Sequence, residues 1–333
     1  MKLLFLLPDI QGIPTGGNIY NQEMMQRLKA YCTVEEAVWT PATSMPALLA
    51  PGYDWAFVDS LLVDHLDVDA LRNLAGQQTR WGILVHYFPF FDPHHAASDV
   101  AIDGLLAYDL YVTTSAYSKA CLADAGISEE LIAVIYPGLD AAHRVARPAR
   151  AMRGAVRLLT VSSLLAGKGL AEFIDVLSNL AEHPVLWHWQ LVGSDTLDPE
   201  YAAALFGQMQ ASAAAARMTW RGPLAPAQMP ACFREADLFV LPSRFETLGM
   251  AVREAMAAGV PVAAFDVGGI PESLSDGAGV MVAPFRYGQM GEVLARLLDN
   301  VEEREVLGQR GLARSRHFPS WETSADTLLA LLN

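Results

Sequence analysis

Two doubly wound α/β domains are predicted for this chain, on three observations. Short apolar runs alternate with amphipathic stretches from one end to the other, the signature of βαβ units around parallel sheets. The 333 residues exceed what one hydrophobic core comfortably spans, since cores stop growing near ~250 to 300 residues. Between the halves lies HRVARPARAMRG, residues 143 to 154, polar, basic and carrying a proline, which has the composition of a domain linker.

The strands expected in the first half are KLLFLLP, WAFVDS, WGILVHY and LYVTTS. The opening MKLLFLLPDI reads as a first buried strand and not as a leader peptide, because Pro8 and Asp9 interrupt the apolar run and no small-residue cleavage site follows. After it, GGNIYNQEMMQRLKAY reads as a helix, with Tyr20, Met24, Leu28 and Tyr31 at helical spacing and Asn18 placed to cap its start. In the second half the expected strands are VRLLTVSS, LWHWQLVG, LFVLPS, VPVAAFD and GVMVAP. Between two of these, LGMAVREAMAA is a helix closed by Gly259, with Pro261 just beyond. Trp187 and Trp189 flank a strand and belong to the core. The boundaries expected are 1–145 for the first domain, 155–318 for the second, and 319–333 for a closing helix that packs back on the first domain.

Composition excludes several classes. A net charge of −14 argues against nucleic acid, whose binding needs Lys and Arg to neutralise phosphates, and against adhesion to anionic lipid. No run approaches the ~18 to 20 apolar residues of a membrane span. Cys32, Cys121 and Cys232 are odd in number and widely spaced, so neither a disulfide framework nor a zinc site is expected, and a reducing cytoplasm fits best. The five arginines between 144 and 157 read more simply as a solvated linker than as a phosphate contact.

Three segments carry chemistry. In LPSRFETLGMAVREAMAAG, Glu246 follows the carboxyl end of a strand, where open α/β sheets bind ligands, and Glu254 lies in the first two turns of the next helix. Thr247 sits between strand and helix, and the N–H groups of Leu248, Gly249 and Met250 at the helix start form a cradle for an anion. Carboxylates beside a phosphate cradle suit hydroxyls, so a sugar or ribose is the natural target. In TVSSLLAGKGL, Lys168 ends a strand-loop and offers a point charge to a diphosphate; the glycine spacing is not that of a P-loop. In PTGGNIYNQE, Gly16 and Gly17 allow close approach of backbone amides to a ligand.

Each has a plainer reading: a loop cap and a surface carboxylate for the two glutamates, a loop lysine for Lys168, a satisfied buried histidine for His86 at its strand end. HYFPFFDPHHAASD gathers His86, Asp92, His94 and His95, but the spacing fits no standard zinc motif, so no metal is expected there. A loop lining an acceptor cleft, with Tyr87, Phe88, Phe90 and Phe91 supplying apolar surface, is the better hypothesis.

Taken together, SRFETLGMAVREAMAAGVPVAAFDVGGIPE resembles the E-x7-E signature of glycosyltransferase family 4, retaining enzymes of the GT-B fold. TGGNIYN, LLVHYFP, VTTSAYSKACL, VIYPGLD, VSSLLAGKG, LVGS, RGPL and the closing FPSWETSADTLLALL extend the resemblance over nearly the whole chain. It implies two Rossmann-like domains facing across a cleft, and a UDP- or GDP-linked sugar donor held by the second. By the same resemblance Lys168 binds the donor diphosphate, Glu246 the donor sugar hydroxyls and Glu254 the ribose. Leu248, Gly249 and Met250 lie near phosphate and sugar, and Gly193 and Leu224 border the nucleoside. His86 lies near the transferred sugar, and Gly16 and Gly17 close over phosphate.

Many members pair the lysine with an arginine five positions earlier, where this chain has Ser163; the diphosphate charge then rests on Lys168 and backbone amides unless Arg244 or Arg253 assists. The implied reaction transfers a hexose with retention, the leaving phosphate taking the acceptor's proton and no metal required. Whether either glutamate is also a nucleophile stays open. An epimerase or phosphorylase of the same shape and a non-catalytic sugar- or nucleotide-binding protein are the alternatives. A nicotinamide oxidoreductase is disfavoured, because no G-x-G-x-x-G opens a helix after the first strand. The acidic charge and the lack of a basic amphipathic helix favour a soluble or small acceptor over a lipid.

Overall fold

The computed structural model describes residues 1–10, 12–40, 52–66, 78–93, 105–146 and 154–333. The chain divides into two compact units, one made of Met1–Gly138 with Pro319–Asn333 and the other of Leu139–Phe318.

The first unit holds a sheet of β1 (Lys2–Pro8), β2 (Thr33–Trp39), β3 (Trp55–Asp59), β4 (Arg80–Val85), β5 (Leu110–Thr113) and β6 (Ile132–Val134). Their spatial order is β2-β1-β3-β4-β5-β6, and every pairing is parallel. Leu3 to Leu7 and Ala56 to Val58 are almost wholly buried. Continuous apolar runs of this kind are what a parallel sheet covered on both faces selects. The order reverses between β1 and β3, so their carboxyl ends flank a topological switch point. Helix α1 (Gly16–Leu28) follows β1 and is capped by Thr15, whose hydroxyl accepts the N–H of Asn18 at 3.1 Å. The expected cap, Asn18, instead lies inside the first turn and donates its amide to the carbonyls of Ile10 and Ile13, tying the preceding loop to the helix. Tyr31, expected to continue the apolar face, is 63% exposed beyond the helix end. Helix α2 (Ala116–Asp124) follows β5 and starts from the Ser115 cap.

The second unit repeats the plan with β7 (Val156–Val161), β8 (Trp187–Val192), β9 (Met218–Trp220), β10 (Leu238–Leu241), β11 (Val262–Phe265) and β12 (Val280–Val282). The order is β12-β11-β10-β7-β8-β9, again all parallel, with the reversal between β7 and β10. Among the described residues, seven helices surround this sheet: α3 (Leu170–Asn179), α4 (Pro199–Ala211), α5 (Met229–Glu235), α6 (Met250–Ala257), α7 (Ile270–Leu274), α8 (Tyr287–Asp299) and α9 (Val301–Ser315). Trp187 and Trp189 are core residues, and each indole N–H has a partner, the carbonyl of Leu180 and the hydroxyl of Thr160, both at 3.0 Å.

Residues 143 to 146 of the segment read as a linker belong to this second unit, where Arg144 donates to the carbonyls of Ser315 and Phe318; residues 147 to 153 lie outside the described residues. The last helix, α10 (Trp321–Leu332), belongs to the first unit. Trp321 meets Tyr20 edge-on at 5.9 Å, Ser324 donates to the carbonyl of Tyr136, and the Leu332 carbonyl accepts from Arg80 at 2.8 Å and from the Trp55 indole. A β-carbon on Gly138 would lie 2.1 Å from the backbone nitrogen of Trp321, so only glycine admits the helix there.

Candidate functional site

In the second unit, three loops leave the carboxyl ends of neighbouring strands at the switch point. The loop after β7 ends in a single 3-10 turn, Ala166–Lys168, and Gly169 then opens α3. The loop after β10 runs from Pro242 to Gly249 and opens α6. The two loops touch through backbone: Arg244 N–H donates to the Gly167 carbonyl at 3.0 Å, and a β-carbon on Gly169 would come within 2.2 Å of the Pro242 oxygen.

That approach brings together two side chains 78 positions apart. Lys168 Nζ donates to Glu246 Oε1 at 2.7 Å, with 27% and 15% of the two side chains exposed. Partial burial makes the pair interdependent, because removing one partner leaves the other charge short of solvent. The third loop, after β11, supports the glutamate from below. Gly269 N–H donates to the Glu246 carbonyl at 3.0 Å, and a β-carbon on Gly268, whose φ is +51°, would sit 1.9 Å from that oxygen.

Thr247 is half-buried and Leu248 buries its side chain, so the backbone is what this stretch offers a ligand. Gly249 caps α6 with no side-chain cap; the Val252 N–H turns back to the Gly249 carbonyl at 3.0 Å, and the N–H groups ahead of it have no acceptor within the helix. Lys168, Glu246 and residues 247 to 250 are thus grouped at one place. It combines a cation, a hydroxyl acceptor and a helix N-terminus.

Glu254 has other partners. Its Oε1 lies 3.8 Å from Nε2 of His143, with 17% of the carboxylate side chain and 12% of the imidazole exposed. Burial, aided by the charge of Asp140, pushes the Glu254 carboxyl up to about 8. His143 is pushed below its ordinary value by burial, opposed by Asp140 and reinforced by Arg234. Neither ring nitrogen has a hydrogen-bond partner among the described residues, and the ring stands edge-on to Phe233.

The remaining expected donor residues extend along the same sheet edge. Gly193 follows β8; its N–H donates to the Gly222 carbonyl at 3.1 Å, and a β-carbon there would be 1.8 Å from the Ser162 oxygen and 3.3 Å from the Ser163 nitrogen. Ser163 keeps its carbonyl on the Leu165 N–H. Leu224 is half-buried against the core. Of the two arginines considered as helpers, Arg253 is turned into the core, with Nε on Ser273 Oγ at 3.0 Å and its guanidinium over the Phe318 ring. Arg244 is half exposed beside Glu172 and over the Phe285 ring.

In the first unit, His86 follows β4 and is enclosed by one face of α1. Its Nε2 lies 2.8 Å from Asn21 Oδ1, and Asn21 Nδ2 donates to Asp59 Oδ2 at 2.7 Å. Gly17 backs onto the imidazole, where a β-carbon would lie 3.0 Å from Cγ and Cδ2, and Tyr20 meets the ring edge-on. Its main chain is held by Ser60 Oγ at 3.1 Å. Burial pushes the His86 ring below its ordinary value, with Asp59 opposing. Gly16 opens α1. Asn21 and Asp59 were not singled out in the sequence; the signal was there, a polar residue on the apolar face of α1 and a carboxylate ending a buried strand.

The aromatic loop differs from expectation. Phe88 and Phe91 are buried, Phe88 stacked on Phe90 and Phe91 edge-on to both, and Tyr117 donates to the Phe91 carbonyl at 2.6 Å, so much of YFPFF is core and not a cleft lining. His94 and His95 lie outside the described residues. Among the described residues no group of three or more His, Cys, Asp or Glu is arranged to hold a metal ion, and no helix is long and apolar enough to cross a membrane.

Residues 150–314 match the family model of Glycosyl transferases group 1. Among curated proteins, D-inositol 3-phosphate glycosyltransferase of Segniliparus rotundus is 40% identical over 106 residues, covering 32% of this chain and 23% of that protein. The Mycobacterium bovis protein of the same name is 31% identical over 237 residues, covering 66% of this chain and 47% of its own length. The chain therefore spans less than half the length of the curated relatives it matches. Among solved structures, Anabaena HepE in complex with UDP-glucose aligns with a TM-score of 0.81 at 20% identity over 99% of both chains. Sucrose-phosphate synthase from Thermosynechococcus elongatus aligns with a TM-score of 0.80 at 20% identity, over 99% of this chain and 98% of that one. The fold is of the GT-B class, two Rossmann-like α/β units, and over residues 150–314 the second unit carries a domain of the glycosyl transferases group 1 type.

Proposed function

We propose that the chain is a retaining hexosyltransferase of glycosyltransferase family 4, moving a sugar from a UDP- or GDP-linked donor to a soluble, small acceptor, without a metal and in the cytoplasm. The observation that carries this reading is the Lys168–Glu246 pair at 2.7 Å, set at the switch point of a parallel sheet beside the N-terminus of α6. A nucleotide-diphosphate leaving group gains negative charge as the glycosidic bond breaks. Lys168 and the N–H groups of Leu248, Gly249 and Met250 are the groups able to stabilise that charge. Glu246, an acceptor beside them, suits the hydroxyls of the sugar and holds Lys168 in place.

Glu246 and Glu254 are the two carboxylates of the E-x7-E pattern and take separate tasks in this reading, sugar for the first and ribose for the second. Gly193 and Leu224 border the base, and Ser163 adds no charge to the diphosphate. In the first unit, His86 and the Gly16–Gly17 turn are assigned to the reaction. The match to proteins named D-inositol 3-phosphate glycosyltransferase and the fold shared with a protein crystallised with UDP-glucose support a small polyol acceptor and a uridine-linked donor.

Calorimetric titration with UDP, GDP and ADP tests it. One nucleotide is expected to bind in the micromolar range, and Lys168→Ala to weaken it at least tenfold. Equal binding by wild type and Lys168→Ala, or no binding of any nucleotide, refutes the assignment.

A further inference from the structure

The network around His86 contains more information than its place near a strand end. Asn21 is fully buried and Asp59 is 1% exposed. The Asp59 carboxylate accepts twice, from Leu61 N–H at 2.9 Å and from the Asn21 amide at 2.7 Å. Because that amide nitrogen must face the carboxylate, the other end of the side chain, Oδ1, is the atom presented to His86. An amide oxygen only accepts, so the imidazole nitrogen 2.8 Å away must carry hydrogen. A neutral imidazole with Nε2 protonated has its Nδ1 unprotonated. Nothing among the described residues donates to that nitrogen, although the side chain remains 12% exposed.

We propose that Asn21 and Asp59 are positioning residues that lock His86 in the Nε2–H tautomer, so that Nδ1 serves as a hydrogen-bond acceptor for a sugar hydroxyl. The proposal rests on the transferase reading for the identity of the hydroxyl, which belongs either to the donor's hexose or to the acceptor. It rests on the geometry alone for the tautomer. The surroundings keep the ring from adjusting: Gly17 leaves no space behind Cγ and Cδ2, Tyr20 closes the edge, and Ser60 fixes the main chain. A chain of buried donors and acceptors with each position satisfied specifies one arrangement. The lowered basicity of His86, caused by burial, agrees with a neutral ring near pH 7.

The test is a two-bond proton–nitrogen spectrum of the full chain labelled at histidine, His86 being assigned by its loss in His86→Gln. The wild type at pH 7.5 is expected to show the Nε2–H pattern. An Nδ1–H or doubly protonated ring overturns the proposal without any variant being made. Asn21→Leu is expected to mix the tautomers and to lower turnover of the nucleotide sugar about tenfold with little change in KM; should it fail to fold, Asp59→Asn serves the same purpose. A tautomer unchanged in the variant, or changed with turnover intact, also overturns the proposal.

Titration with UDP and then UDP-glucose identifies the hydroxyl. A shift of the Nδ1 resonance with UDP-glucose but not UDP assigns it to the donor hexose. A shift only after myo-inositol is added to the UDP-bound chain assigns it to the acceptor. If UDP binds in a Lys168-dependent manner and neither addition moves Nδ1, the acceptor role is wrong and the transferase reading stands. If no nucleotide binds, the transferase reading fails and the hydroxyl assignment with it.

Discussion

Replacing Glu254 by glutamine is expected to stabilise the protein at alkaline pH and not in acid. In the folded chain the carboxyl is held at about 8 against an ordinary 4.5, because burial and the charge of Asp140 disfavour the ionised form. The sign follows from proton linkage: below about 4.5 both folded and unfolded states are protonated and nothing is lost. Between about 4.5 and about 8 the unfolded state releases the proton while the folded state keeps it, so stability falls as pH rises. Above about 8 both are ionised and the loss is complete. At about 1.4 kcal/mol per pH unit the full penalty is about 5 kcal/mol.

With 17% of the side chain exposed and His143 3.8 Å away, about half of that is expected in practice. For a unit of this size, roughly 2 kcal/mol corresponds to about 4 to 8 °C in Tm. Thermal unfolding of wild type and Glu254→Gln, followed in parallel from pH 5 to pH 8.5, measures it directly. The curves should coincide at the acid end and diverge towards pH 8, the variant being the more stable. Parallel curves across the range, or a wild type more stable at pH 8, would refute the argument that a buried charge is being opposed. The same substitution should weaken nucleotide binding if Glu254 holds the ribose, and opposite effects on stability and affinity are what a strained binding residue produces.

Other substitutions test neighbouring features. Gly268→Ala forces a β-carbon to 1.9 Å from the Glu246 oxygen at a left-handed backbone position, so a loss of about 2 to 4 kcal/mol is expected in urea unfolding, with nucleotide affinity falling as Glu246 shifts. Gly17→Ala places its methyl 3.0 Å from the His86 ring and should cost no more than about 1 to 2 kcal/mol of stability while reducing turnover of the nucleotide sugar several-fold, measured as kcat at saturating donor. A double-mutant cycle of Lys168→Ala and Glu246→Gln should show about 1 to 2 kcal/mol of coupling in stability, as befits a pair with only 27% and 15% of its side chains exposed, and a larger effect of Lys168→Ala on UDP affinity. Nucleotide binding near pH 7 should release protons if the ribose engages an ionised Glu254. Calorimetry in buffers of different ionisation enthalpy detects this as a buffer-dependent heat.

Much of the fold was legible because parallel sheets covered on both faces demand continuous apolar strands, and runs such as KLLFLLP and LFVLPS leave little choice. The strands that escaped notice, β2, β6 and β9, all lie at sheet edges. β2 reads TVEEAVW, with Glu35 and Glu36 exposed, and β6 and β9 are three residues long; an edge strand has one partner and needs little burial, so it leaves a faint trace. The positions of Lys168 and Glu246 were readable from strand ends, but their contact was not, since nothing local couples residues 78 apart. His143 was obscured differently. The basic run that follows it gave residues 143 to 154 the look of a linker, although His143 reaches Glu254 and Arg144 holds the end of α9. The aromatic loop misled for the opposite reason: Phe88 and Phe91 are as apolar in a core as in a cleft, and composition alone does not separate the two.

The return of residues 319–333 to the first unit makes the second an insertion within it. During synthesis, strands β1 to β6 leave the ribosome first, yet Tyr20, Trp55 and Arg80 find their partners Trp321 and Leu332 only after the whole of Leu139–Phe318 has been made. The inserted unit is contiguous and has all its own contacts as soon as it emerges. The unit begun first is therefore completed last, and its helix-docking surface stays uncovered until the closing helix has been made.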